Sequence, residues 1–194
     1  AVWNAYVPEV ASTPEAVASE DGKVHVTSVD EFLAAIAPDT TIYLEPGTYD
    51  LSTAAGYGVS RTDRYHWDLR WDGPSLVITG VDGLTIEGAG AESVTIAAVP
   101  RYADVLGFER CADLTLRGFT AGHTEEKGYC TGGVLYFDLC DDAVIDGCAL
   151  FGCGIMGITA SSCADMNVSN TEIYDCEYGA VTLNDSNAVF DNCD

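Results

Sequence analysis

The densest concentration of chemistry-bearing side chains lies in 57–73, YGVSRTDRYHWDLRWDG. Arg61, Arg64 and Arg70 fall within ten positions of one another, beside Tyr65, His66, Trp67 and Trp71. The whole chain holds only 8 Lys and Arg against 31 Asp and Glu, so this local excess of cations and aromatics stands out. Sugar rings present apolar C–H faces that pack on Trp and Tyr, and guanidinium forks grip carboxylates with two parallel hydrogen bonds. The segment therefore reads as a carbohydrate-binding element, with an acidic polysaccharide among its expected ligands. The competing reading is structural: Trp67 and Trp71 cover apolar surface while the arginines pair with Asp63, Asp68 and Asp72. A second irregular stretch, 119–133, carries His123, Glu125, Glu126 and Lys127, and is expected to form the opposite wall of a groove.

The formal charge of −23 excludes a phosphate-backbone partner, which needs basic patches, and argues against docking on anionic lipid. No apolar run is long enough to span a bilayer. Eight cysteines in 194 residues are too sparse for a disulfide scaffold, and no C-x-x-C pair marks a zinc site.

Positioning elements emerge from residue 23. Val24-His25-Val26 alternates as a strand. Ser28 and Glu31 form a capping box, with Phe32, Leu33 and Ile36 on the apolar face of a helix over 28–37 that Pro38 ends. Residues 41–44 form a strand, 45–48 a turn, and 49–51 extended chain. Residues 1–22 read as a linker-like arm, with Trp3, Tyr6 and Val7 as anchors.

From residue 76 the chain repeats. VDGLTIEG (81–88), CADLTLRG (111–118), CDDAVIDG (140–147), CADMNVSN (163–170) and DSNAVFDN (185–192) start 30, 29, 23 and 22 residues apart. Their inward pairs are Leu84/Ile86, Leu114/Leu116, Ala143/Ile145, Met166/Val168 and Ala188/Phe190. A second strand precedes most copies, as in 76–78, 105–108, 134–137 and 157–160. Period 2 within strands and a superperiod of one coil describe a solenoid, because a single coil cannot bury its own inner face.

Phe32, Ala35, Ile36 and the run Ile42-Tyr43-Leu44-Glu45-Pro46-Gly47-Thr48-Tyr49 resemble the opening of right-handed parallel β-helix proteins of the pectate-lyase-like superfamily. The later copies resemble NosD-like degenerate repeats of surface or periplasmic proteins. The resemblance covers 24–194. It implies an all-β, right-handed parallel β-helix at 23–194, with the 28–37 helix capping its N-terminal end and 57–73 and 119–133 as excursions. It also implies an extracellular or cell-surface location.

Register then assigns columns. Cys111, Cys140 and Cys163 stack between Val81 and Asp185, and are read as small buried hydrophobes. Cys153 and Cys176 share a second column, and Cys148 and Cys193 sit two rungs apart. Cys130 is the most exposed and reactive thiol. Glu87, Arg117, Asp146, Ser169 and Asp191 form an outward ladder, either a binding stripe centred on Arg117 or a solvated face. Asp113, Asp142, Asp165 and Asn187 stack at a turn. Asx residues suit such turns, and Ca²⁺ held by the three acids is the alternative.

Catalysis by β-helix lyases, the resemblance implies, uses an Arg or Lys base with Ca²⁺; paired carboxylates serve the glycosidases. Arg101, Arg110 and Arg117 are available, but no nucleophile–base set is recognisable. The expected function is carbohydrate recognition at the cell surface through Arg64, Tyr65, His66, Trp67, Arg70, Trp71, Arg117 and His123, without a resident cofactor. The alternatives are a polysaccharide lyase or glycoside hydrolase with a divergent site, and a structural or adhesion spacer. The 185–194 end carries no cap, so self-association there is a further expectation.

Overall fold

A computed structural model describes residues 18–124, 131–152 and 155–194. Trp3, Tyr6, Val7, Glu125, Glu126, Lys127, Cys130 and Cys153 lie outside these residues. The described chain winds as a three-sided solenoid. One side is a sheet in the order Val24–Val26, Thr41–Leu44, Thr85–Gly88, Thr115–Arg117, Val144–Asp146, Met166–Ser169, Ala188–Asp191, seven strands among the described residues. The second, of five strands, runs Gly47–Asp50, Val94–Ala98, Thr120–His123, Ala149–Phe151, Glu172–Tyr174. The third, of six, runs Tyr65–Leu69, Pro74–Thr79, Leu106–Glu109, Leu135–Asp138, Met156–Ser161, Gly179–Asn184. Every pairing between successive coils is parallel among the described residues.

The repeat register holds. Ile86, Leu116, Ile145, Val168 and Phe190 stack in one inward column, and Leu76, Leu106, Leu135 and Ile158 in another. Phe108 lies over Phe137 with ring centroids 5.2 Å apart and planes 14° from parallel. Phe190 at the last coil stays 41% exposed, but burying each of the others contributes roughly 1.5–3 kcal/mol, and no coil could do this alone.

Corners are made by left-handed residues at fixed places. Leaving the six-stranded sheet, Arg110, Leu139, Ser162 and Asp185 take φ between 48° and 54°, and Asp113, Asp142 and Asp165 take 52–53° three residues after the first three of these. Asp tolerates this region better than most residues, so the backbone itself favours Asp at these positions. Leaving the seven-stranded sheet, Gly118 and Gly147 (φ 67° and 61°) are followed by Asn170 and Asn192 (48° and 52°). This explains why each of those copies closes on Gly or Asn.

The helix spans Val29–Ala35, shorter than expected, because Ile36 is already extended ahead of Pro38. Ser28 Oγ accepts from the Glu31 N–H at 3.3 Å. The Glu31 carboxylate, however, accepts from the Thr27 N–H at 2.7 Å and the Thr27 hydroxyl, so the reciprocal arm of the capping box reaches one residue further back.

Two expectations are corrected. Segment 119–133 is not an excursion from its start: Phe119 is fully buried and Thr120–His123 belongs to the five-stranded sheet, a third strand per coil absent from the repeat reading. The thiol column is headed by Ser186 rather than Asp185. Cys163 N–H donates to Ser186 Oγ at 2.9 Å, while Asp185 occupies the corner that Ser162 takes one coil earlier. The last coil is one residue shorter in this turn, and Asn187 Oδ1 supplies an acceptor for the Asp165 N–H.

Cys111, Cys140, Cys148 and Cys163 are buried thiols that contact backbone carbonyls at 3.3–3.7 Å, and no disulfide joins the described cysteines. Burial raises the Cys148 thiol to about 11. These four should resist an aqueous thiol reagent in the native state and react on denaturation, whereas half-buried Cys176 and Cys193 react before them; mass-resolved labelling measures this. Leu139 is 51% exposed and held at φ 54°, a conformation costing a branched L-residue about 1–2 kcal/mol. Leu139→Gly should therefore raise unfolding stability by about 0.5–1 kcal/mol after the entropy cost of glycine, read from denaturant midpoints.

Candidate functional site

The 57–73 segment folds back as a hairpin. Tyr65–Leu69 pairs antiparallel with Pro74–Thr79, so the hairpin becomes the first strand of the six-stranded sheet. Strand alternation then separates its side chains. Tyr65 and Trp67 face inward opposite Ile78 and Leu76. Tyr65 is buried; Trp67 meets Tyr57 edge-on at 5.0 Å and donates its indole N–H to Ser60 Oγ at 3.0 Å. These two aromatics serve packing, as the structural reading expected of Trp67; Trp71, of which it expected the same, is exposed. Arg64 also turns to structure, donating to the Ile36 carbonyl at 3.2 Å and tying the hairpin to the end of the helix.

His66 and Asp68 face outward opposite Val77 and Ser75. At the hairpin tip the Arg70 N–H donates to the Gly73 carbonyl, closing a two-residue turn of Trp71 and Asp72. The Asp72 carboxylate accepts from the Arg101 and Tyr102 N–H groups, fixing the tip to the next coil. Trp71 is nevertheless 89% exposed, and Tyr102 stands partly exposed on the loop to which Asp72 is anchored.

Beyond the hairpin the outer face of this sheet carries two columns. One runs Val77, Gly107, Tyr136, Thr159, Thr182; the other runs Thr79, Glu109, Asp138, Ser161, Asn184. Glu109 and Asp138 are register partners about 4.8 Å apart. Arg110 bridges the Glu109 carboxylate at 3.2 Å and the Thr79 hydroxyl at 3.0 Å, and Arg70 pairs with Asp68 at 2.9 Å. Asp104 opens the loop side, accepting from the Gly133 N–H at 2.8 Å; burial raises its pKa. Burial also raises the Tyr136 phenol, assisted by Asp138, Asp104 and Glu109 and opposed by Arg70. The arrangement is a polar strip walled at one end by an aromatic tip. It offers carboxylate acceptors, one phenol and two guanidinium groups already paired.

The eight sequence-predicted residues are not brought together. His66, Arg70 and Trp71 border this strip. Arg117 is on the seven-stranded sheet, where the expected ladder does form: Tyr43, Glu87, Arg117, Asp146, Ser169 and Asp191 are successive register partners. Arg117 bonds Glu87 at 2.7 Å, Lys23 bonds Glu87 from the other side at 2.9 Å, and Asp146 takes Ser169 and Asn170 instead. His123 is 2% exposed at the inner end of its strand, bonding the Ala103 carbonyl at 2.8 Å; burial lowers its pKa. It forms no groove wall. Sequence reasoning missed Tyr102, Asp104, Glu109, Tyr136 and Asp138. The signal was present in the outward positions of the second strand, next to Phe108 and Phe137.

The family model "Right handed beta helix region" matches residues 121–194. No curated protein matches the sequence. Among solved structures, an alginate lyase from Paenibacillus sp. str. FPU-7 superposes with a TM-score of 0.56 at 10% identity over 88% of this chain and 65% of that one. The chain thus spans slightly under two thirds of the lyase's length. The A-module of a mannuronan C-5 epimerase from Azotobacter vinelandii gives 0.35 at 18% identity, over 89% of this chain and 56% of that one. The fold is a right-handed parallel β-helix. No helix among the described residues is long and apolar enough to cross a membrane.

His25 begins the outward ladder beside Tyr43, and its ring bridges Glu45 at 2.7 Å and Asp21 at 3.1 Å. Hydrogen bonds to these two carboxylates raise its pKa above 6.5. A raised histidine contributes its stabilisation fully below the unfolded-state value and loses it as pH climbs through the folded-state value. NMR titration of His25 should give a midpoint above 6.5 that falls towards that value in Glu45→Gln.

Proposed function

We propose that the chain is an extracytoplasmic carbohydrate-recognition module that binds a glycan chain along the outer face of the six-stranded sheet. The observation that carries the reading is Trp71: an indole 89% exposed, held on a tip that Asp72 pins to two backbone N–H groups. An exposed indole on an anchored turn offers an aromatic face on which a sugar ring can stack. Beside it, the strip of Tyr136, Glu109, Asp138 and Thr159 offers the hydroxyl-directed acceptors and donors that would orient such a ring. Fold likeness to a structure named alginate lyase is in keeping with a glycan ligand and says nothing about chemistry.

Charge favours a neutral chain over an acidic one. Arg70 and Arg110 are each paired with a carboxylate, and Asp104 and Asp138 add further acid to the same strip. A polyuronate would meet net repulsion there. A spacer function leaves Trp71 without a reason for its exposure.

Titration with neutral and uronate oligosaccharides tests the reading. At least one neutral oligosaccharide should bind, and Trp71→Ala should weaken it by about tenfold or more with an unchanged unfolding midpoint, as should Tyr136→Ala. Equal affinity in Trp71→Ala, or no binding anywhere in the panel, overturns the proposal. Growth of an unsaturated-uronide absorbance would replace it with a lyase.

A further inference from the structure

The outer face of the five-stranded sheet, one corner away from Trp71's sheet, carries a second feature. Gly122, Phe151 and Tyr174 are successive register partners there. A Cβ built on Gly122 would meet three carbons of the Phe151 ring at 2.4, 2.4 and 2.5 Å. Three consecutive ring carbons at equal distance place that point on the axis through the ring centre. Phe151 therefore lies flat across the strand, its face over Gly122, and only glycine leaves room for it. Tyr174 follows one rung on, with centroids 6.0 Å apart and planes 29° from parallel. At that spacing and angle the rings are stacked with an offset, forming an aromatic floor along the sheet. Phe151 is half-buried and Tyr174 is 37% exposed.

Tyr174 also lines an open cleft of about 420 Å³ at the adjoining corner. Its floor includes the small residues Gly147 and Ala149; Glu92, Asn170 and Glu172 stand around it. The volume lies within the roughly 300–1,000 Å³ of small-molecule sites. The Asn170 amide already donates to Asp146 and accepts from Asn192, which leaves the carboxylates of Glu92 and Glu172 as the main polar groups facing a ligand. An aromatic floor beside acceptor-only groups matches a ligand with an apolar face and donating hydroxyls. It repels a carboxylate.

We propose that the Phe151–Tyr174 floor and the adjoining cleft form a second binding site, for a neutral pyranose ring of an oligosaccharide, independent of the site at Trp71. Large aromatic surface pays most of the affinity, Glu92 and Glu172 accept from ring hydroxyls, and Gly122 sets the height of the floor.

The full chain, isotopically labelled, is titrated with cellohexaose, mannohexaose, xylohexaose and laminarihexaose, with hexagalacturonate as the charged counterpart. At least one neutral hexasaccharide should shift the amides of Gly147, Asn170, Glu172 and Tyr174, while hexagalacturonate does not. Tyr174→Ala should weaken that binding by about tenfold or more, and Tyr174→Phe should keep it. Ala149→Arg, on an outward position, fills the cleft and should abolish it without touching the core. In a Trp71→Ala/Tyr136→Ala background the same shifts should persist, so the two sites fail separately. Absence of these shifts for every neutral hexasaccharide, or full affinity in both Tyr174→Ala and Ala149→Arg, overturns the proposal.

Discussion

Each coil must place its apolar residues directly beneath those of the next, because no coil has an inner face it can close alone. The columns Ile86–Leu116–Ile145–Val168 and Leu76–Leu106–Leu135–Ile158 meet this requirement, and the left-handed corners at Arg110, Leu139 and Ser162 and at Gly118, Gly147 and Asn170 keep the coils congruent. Everything on the surface inherits the same alignment. An outward side chain has a fixed neighbour above and below, so ladders such as Glu87–Arg117 and Glu109–Asp138 follow from the stacking of the core.

The alignment also decides which conspicuous residues are available to a ligand. Within one five-residue strand, Tyr65 and Trp67 are committed to packing while His66 and Asp68 face out. Composition marks all four alike; the antiparallel pairing with Pro74–Thr79 separates them. Trp71 escapes because it sits in the turn, where alternation lapses, and Asp72 holds that turn still.

Much of this was legible in the residues. The repeats yielded two of the three sheets in correct register, the thiol column from Cys111 to Cys163, and the outward ladder through Arg117. The third sheet was hidden for a physical reason. Thr120-Ala121-Gly122-His123 has no alternation of large apolar residues, since Gly122 is small to seat the ring of Phe151 and His123 occupies an inward position usually held by a hydrophobe. A strand whose side chains are chosen by its neighbours does not announce itself. The same reason misplaced His123 in a groove wall. The shift from Asp185 to Ser186 came from a single residue lost in a turn, which leaves the strands on either side in phase and so leaves no trace in their pattern.

Apart from the 65–79 hairpin, strand pairing among the described residues runs from one coil to the next, with the same three sides offered at each step. A chain built this way is a ruler with a graduation of about 4.8 Å. Whole coils could be spliced in or out without presenting a mismatched surface to their new neighbours, provided the corners stay in place. Length along the axis is then a quantity that evolution can adjust in discrete increments, and with it the extent of each outer face.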